Sequence, residues 1–229
     1  GRSMQAELEA LEVALAKPER PVIALIGGAK VSTKLDVLTN LSGKVDRLVV
    51  GGAMANTFLY ALGTEVGSSL CEKDMVGAAQ DVMSNAAKIG CKLILPSDVV
   101  VAEQLKPGSI GKTVSISAVP SNMMILDIGI ETVRAITAEL ASCKTVLWNG
   151  PLGAFEYPPF DEGTKIVSQE VAELTTQSKL CSIAGGGDTI AALVSAGSLP
   201  RFSYVSTAGG AFLEWLEGKE LPGIAALYV

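Results

Sequence analysis

Two lysines and an aspartate stand where the chain turns sharply. Lys30 and Lys34 lie four residues apart, just after Gly27-Gly28-Ala29, where a segment with helical spacing begins. A helix N-terminus carries partial positive charge, so two lysines on one face of its first turns are misplaced unless they face an anion such as a polyphosphate. The same spacing also describes two solvated lysines. Asp188 follows Gly185-Gly186-Gly187 and precedes Thr189 at the start of another helical segment. It suits an ordinary N-cap aspartate. It equally suits a carboxylate holding Mg²⁺ on nucleotide phosphates, with Thr189 and the local amides on the phosphate itself. Ser206-Thr207-Ala208-Gly209-Gly210-Ala211 leads into a helix over Phe212–Leu216. Free amides there would either stabilise a moving phosphoryl group or simply form a tight turn.

Several chemistries are excluded. The chain has no histidine, so no Ser-His or Cys-His mechanism resides within it. Gly108-Ser109-Ile110-Gly111-Lys112-Thr113 looks like the end of a P-loop, but the first required glycine falls at Lys106 and a strand pattern follows where a helix is needed. No G-x-G-x-x-G occurs, which disfavours a standard NAD site. Cys71, Cys91, Cys143 and Cys181 are widely spaced and predict isolated thiols in a reducing cytoplasm, not a disulfide frame or zinc site. The net charge of -6 argues against nucleic acid as a partner. No apolar run is long enough for a membrane helix, and no secretion signal is visible at the N-terminus, so neither a membrane partner nor export is expected.

The elements that must position these residues alternate along the chain. Short apolar runs at Pro21–Ile26, Arg47–Val50, Lys92–Pro96, Thr145–Trp148, Leu180–Ala184 and Ser203–Ser206 predict six strands. Gln5–Ala16, Ile130–Ser142 and Gly163–Leu174 carry apolar residues at helical spacing, and helical segments separate most of the strands. Strands apolar throughout are buried on both faces. The expected fold is therefore α/β, a three-layer doubly wound and mainly parallel six-stranded sheet of Rossmann-like type. Val99–Val101 and Val114–Ile116 predict an inserted strand pair. With 48% hydrophobic residues there is ample material for one core. Five of the six strands end in glycine-rich turns: Gly27-Gly28, Gly51-Gly52, Gly150 after Asn149, Gly185-Gly186-Gly187 and Gly209-Gly210. Glycine at successive ends of one edge implies that something approaches the backbone closely there, and this edge is where ligands bind in open α/β sheets.

These residues fall into motifs that resemble those of the phosphoglycerate kinases. Gly27–Lys34 resembles the family's G-G-A-K-V-x-x-K, and Trp148–Glu156 is similar to its W-N-G-P-x-G-x-F-E. Gly185–Thr189 matches G-G-G-D-[ST], and Ser206–Ala211 matches S-T-G-G-G-A, except that Ala208 replaces a glycine. The four motifs occur in the family's order and span most of the chain.

The resemblance implies the nucleotide-binding half of an enzyme that moves a phosphoryl group reversibly between ATP and 3-phosphoglycerate in glycolysis. By motif position, Lys30 and Lys34 would contact the transferring group and the nucleotide phosphates. Asp188 would bind Mg²⁺, with Gly186, Gly187 and Thr189 at the phosphate. Gly28, Ala29, Gly51, Gly52, Leu126, Pro151, Gly153 and Ala154 would line the nucleotide pocket. Asn149 would reach phosphates or ribose, Glu156 the ribose hydroxyls, and Gly209 and Gly210 would offer amides to the transition state. Residues 1–17 would be the helix linking two domains and 18–229 the C-terminal nucleotide domain. The N-terminal domain that binds phosphoglycerate would be absent. The chain is then expected to bind Mg-ADP or Mg-ATP as a cytoplasmic monomer with little turnover. A non-catalytic nucleotide-binding module is the alternative from another class. Lys34→Ala is expected to be nearly neutral for folding, since alanine is the better helix former and a like charge is lost.

Overall fold

The structure, a computed structural model, describes residues 2–206 and 211–220. The six expected strands are present as β1 (Val22–Ile26), β2 (Arg47–Val50), β3 (Lys92–Ile94), β7 (Thr145–Asn149), β8 (Cys181–Gly185) and β9 (Tyr204–Ser206). They form one sheet in the order β3-β2-β1-β7-β8-β9, with every pairing parallel. This is a doubly wound order: the chain builds outward from β1 to one edge, then returns to build outward from β7 to the other. All six carboxyl ends therefore lie on one edge.

The helices are α1 (Arg2–Ala16), α2 (Val31–Ser42), α3 (Met54–Ala61), α4 (Val76–Ile89), α5 (Ile130–Ser142), α6 (Glu162–Thr176), α7 (Gly187–Ser195) and α8 (Ala211–Leu216). They cover both faces of the sheet. On β1, Val22, Ala24 and Ile26 join the core beneath α1 to α4 and α8. Ile23 and Leu25 join the opposite core beneath α5, α6 and α7. Alternate residues of one strand thus feed two separate cores, which is why the run is apolar without interruption. Trp148 on β7, fully buried, sits in the second core against Phe202.

The inserted strands are β4 (Asp98–Ala102) and β5 (Lys112–Ser115), paired antiparallel as expected. A third strand, β6 (Met124–Ile128), completes a small sheet in the order β5-β4-β6. The sequence pattern does not mark β6, because its apolar run passes into α5 with only Gly129 between them. Lys112 and Thr113 open β5, so the P-loop look-alike belongs to a hairpin. All four cysteines are free thiols, and burial raises each above its ordinary pKa. Among the described residues no helix is long and apolar enough to cross a membrane.

The turns after β1, β2 and β7 interlock. Gly27 N–H donates to the Asn149 carbonyl at 3.0 Å, Gly51 N–H to Ile26 at 2.9 Å and Gly52 N–H to Leu152 at 3.1 Å. A Cβ on Gly150, whose φ is 98°, would stand 2.1 Å from the Gly27 carbonyl oxygen. What approaches the glycines most closely at this crossing is the chain's own backbone, not an outside group. Gly150→Ala is expected to cost about 3–5 kcal/mol, since backbone overlap adds to the strain of a positive φ. For a domain of this size that lowers Tm by roughly 10 °C, which thermal unfolding would read.

Candidate functional site

The carboxyl edge of the large sheet divides into an apolar cleft and a polar corner. The cleft has a volume of about 380 Å³, within the roughly 300–1,000 Å³ common for small-molecule sites. Gly28, Ala29 and Gly52 reach it from the turns after β1 and β2, and Leu126 from β6. Pro151, Gly153, Ala154 and Glu156 come from the segment after β7, and Asp188 from the start of α7. The fold thus brings residues far apart in sequence to one cavity. Asn56, Leu70, Pro96, Val99, Leu105, Met124 and Asp127 also line it, and no motif in the sequence marks them for it. Gly51 lies behind the wall, where a Cβ would meet Leu152 at 2.6 Å.

The polar corner joins α2, β7 and α7. Lys30 is exposed at the N-cap of α2, and Lys34 is half-buried one turn further on. The Lys34 ammonium donates to Asn149 Oδ1, and Asn149 Nδ2 donates to the Gly185 carbonyl at 2.8 Å. Asn149 is buried, so it braces Lys34 from the end of β7. A Cβ on Gly186 would stand 2.7 Å from Asn149 Nδ2, so only a glycine leaves room for that brace. Burial pushes the Lys34 ammonium below the usual lysine value, against the pull of Asp188 and then of Glu217. Thr189 is buried, and its hydroxyl accepts from the Gly150 N–H at 2.7 Å. Gly209 and Gly210 lie outside the described residues.

The helix ends at this edge differ in one respect that matters for anions. None of α2 to α7 is capped by its own N-cap side chain. Three receive a carboxylate from elsewhere. Glu72 accepts from Ser32 N–H on α2 at 3.2 Å. Asp98 accepts from Glu131 and Thr132 N–H on α5 at 3.0 and 2.8 Å. Asp127 accepts from Gly163 N–H on α6 at 2.9 Å. The first amide of α3 donates to the Gly28 carbonyl at 3.0 Å. At α7 no acceptor among the described residues meets the N–H groups of Gly187, Asp188 or Thr189. Gly187 and Asp188 are exposed there, and a Cβ on Gly187 would meet nothing within 4 Å. Gly186 is the N-cap of α7, so Asp188 belongs to its first turn and does not cap it. An open, positive helix end beside a half-buried ammonium is suited to an anion, and the exposed carboxylate of Asp188 to a cation accompanying it.

Fold and cleft together define a doubly wound α/β domain with its ligand cleft at the carboxyl edge. The family model described as phosphoglycerate kinase matches residues 1–219, and the chain belongs to that family. It is 60% identical over 229 residues to a phosphoglycerate kinase of Cereibacter sphaeroides (strain ATCC 17029 / ATH 2.4.9), covering 100% of this chain and 58% of that protein. A phosphoglycerate kinase of Ruegeria sp. (strain TM1040) is 61% identical over 227 residues, covering 99% of this chain and 57% of the relative. The solved phosphoglycerate kinase of Coxiella burnetii superposes with a TM-score of 0.90 at 47% identity, over 98% of this chain and 57% of that one. The Pyrococcus horikoshii OT3 enzyme gives 0.78 at 28% identity, over 100% of this chain and 56% of that one. The chain therefore spans a little over half the length of the relatives it matches.

The Lys34–Asn149 bond changes what removal of the lysine does. Lys34→Ala leaves the buried Asn149 Oδ1 without its donor, so it costs about 1–3 kcal/mol of stability in place of the near-neutral change that helix propensity suggests. The pH dependence has a definite sign. Because burial lowers the folded-state pKa of Lys34, the unfolded chain binds its proton more readily. The contribution of Lys34 to stability therefore improves as pH rises from the lowered value toward 10.5. The Tm difference between wild type and Lys34→Ala should widen in favour of wild type between neutral and strongly alkaline pH. A difference that stays flat or narrows would contradict the desolvation.

Proposed function

We propose that this chain is the nucleotide-binding half of a phosphoglycerate kinase and holds Mg-ADP or Mg-ATP across the cleft and the polar corner. The observation that carries this is the α7 N-terminus, left open beside the cleft while carboxylates from elsewhere cover the starts of α2, α5 and α6. The base and ribose fit the apolar cleft, with exposed Glu156 at its rim for the ribose hydroxyls. The phosphates fit the amides of Gly187, Asp188 and Thr189, with Lys34 alongside and Lys30 at the mouth. Gly187 leaves the space this needs.

The residues present fit a magnesium ion in one specific way. Among the described residues no three His, Cys, Asp or Glu side chains gather as a metal cage. Mg²⁺ bound to a nucleotide takes one or two carboxylates and keeps phosphate and water for its other positions, so Asp188 alone would hold it. The ion would neutralise phosphate charge. The chain's own part is to orient and shield. Lys34, held by Asn149, keeps a cation beside the path of the phosphoryl group, and the open amides of α7 fix the phosphates without moving. The acceptor, the carboxylate of 3-phosphoglycerate, is ionised at neutral pH and needs no general base, so a chain without histidine suffices for this half. The remaining length of the relatives would supply the phosphoglycerate site, and α1 would link the two parts. On this reading the chain alone is a cytoplasmic monomer that binds nucleotide and turns over little.

Two measurements test the reading. Thermal unfolding of the chain with rising Mg-ADP should show a steady gain in Tm, by linkage worth about 2.7 kcal/mol at a hundredfold excess over Kd. NAD should give no comparable gain, and no shift at millimolar Mg-ADP would defeat the proposal. Asp188→Asn should abolish the Mg²⁺-dependent part of that gain while leaving the Tm of the free chain within a few degrees, because Asp188 makes no capping bond. In the two-domain enzyme, Lys34→Ala should lower kcat by about 10²–10³, the usual loss for one pre-oriented donor. Unchanged kcat would make Lys34 a bystander.

A further inference from the structure

The Glu72 carboxylate sits at the N-terminus of α2. Its Oε1 accepts from Ser32 N–H at 3.2 Å and its Oε2 accepts from the Ser32 hydroxyl at 2.6 Å, with the Val31 amide close enough to favour its charge. These are the first two amides of the helix that carries Lys30 and Lys34. Burial opposes the charge on Glu72, but the Ser32 bonds, the Val31 amide and nearby Lys30 outweigh it and hold the carboxyl below its usual range. The segment bearing Glu72 is fastened to α3. Glu72 N–H donates to Thr57 Oγ1 at 3.0 Å, and Asn56 Nδ2 donates to the Leu70 carbonyl at 3.1 Å. Leu70 and Asn56 both line the cleft.

We propose that Glu72 is a positioning residue: as a tethered anion on α2 it fixes the turn that carries Lys30 and Lys34 beside the cleft. The same short segment presents Leu70 to the cleft and Glu72 to the lysine helix, so it ties the wall of one compartment to the aim of the other. This inference rests on the nucleotide reading for its ligand and on the Glu72–α2 contact for its geometry.

The test compares Mg-ADP with adenosine on the full chain, wild type against Glu72→Ala and Glu72→Gln, alongside amide hydrogen exchange. Adenosine reports the cleft alone, and ADP reports cleft and phosphates together. Loss of one charge-assisted positioning contact predicts a roughly tenfold fall in ADP affinity for Glu72→Ala, with adenosine affinity changed less than about twofold and the Val31 and Ser32 amides exchanging faster. Glu72→Gln keeps an acceptor for Ser32 and should fall between the two. It also guards against a poorly folded alanine variant. Equal losses for ADP and adenosine would overturn the proposal, leaving Glu72 as a strut for the cleft wall. Tighter ADP binding in Glu72→Ala would also overturn it, making Glu72 a competitor of the phosphate. A wild-type chain that binds neither ligand would sink the nucleotide reading instead. Exchange at Val31 and Ser32 would still decide the cap, and rates unchanged in Glu72→Ala would overturn that.

Discussion

Amides at the start of a helix have no partner inside it, and six parallel strands deliver several such helix ends to one edge of this sheet. Ordinarily a serine, threonine or aspartate at the N-cap meets them locally. Here Lys30, Ala53, Met75, Gly129, Asp161 and Gly186 hold the N-cap positions of α2 to α7, and none makes a side-chain capping bond. The acceptors arrive from far along the chain: Glu72 is 40 residues from Ser32, Asp98 is 34 from Thr132 and Asp127 is 36 from Gly163. Each of these bonds also ties one element to another, so the capping of the helices and the assembly of the edge are a single event. No remote carboxylate among the described residues meets α3, α4 or α7, and of these α7 is the one whose exposed first turn opens beside the cleft.

This dependence explains what could be read from the sequence. The six strands of the large sheet were legible because burial on both faces demands unbroken apolar runs, and the helices because one face must be apolar at 3.6-residue spacing. Strand β6 was not. Its run passes into α5 across Gly129 alone, and Asp127 interrupts the apolar pattern for a tertiary reason: it reaches the Gly163 amide of α6. Much of the cleft followed from motifs that place Gly28, Ala29, Pro151, Gly153 and Asp188 together. Two of its other walls, Asn56 and Leu70, come from α3 and the loop after it, where nothing local distinguishes a lining side chain from a surface one.

The glycines show how a correct pattern can carry an incomplete cause. Their concentration at the strand ends does mark close approach, but at Gly27 and Gly150 the two turns approach each other, with the Gly27 N–H on Asn149 and Gly150 tucked against the Gly27 carbonyl. Among the described strand-end glycines only Gly187 would give a Cβ open space with nothing within 4 Å, and at Gly28 the nearest atom to a Cβ would be Cε of Lys34 at 3.7 Å. Most of the glycine signal is thus architectural, building the tight crossing that lets β1 and β7 lie side by side. The part of it that faces outward coincides with the cleft and with the open helix.

The remaining tension is electrostatic. Lys34 is a half-buried cation at the positive end of α2, and its direct partner is a neutral amide, Asn149. Asp188 faces it from α7 and is close enough to pull on its proton, yet the two form no ion pair. A fold selected for stability alone would close that gap or replace Lys34 by an apolar residue of similar length, because an unpaired buried charge costs free energy whereas a well-packed apolar side chain does not. Local conflict of this kind is what function imposes on a site. On the proposed reading a magnesium–polyphosphate resolves both halves of it at once. The phosphate supplies the anion that Lys34 and the α7 amides lack, and the metal supplies the cation that Asp188 lacks. A simple anion would satisfy the lysine while repelling the aspartate, and a bare cation would do the reverse. On that reading the separation of the two charges favours a ligand that carries both signs, which the metal–nucleotide complex does and neither component alone does.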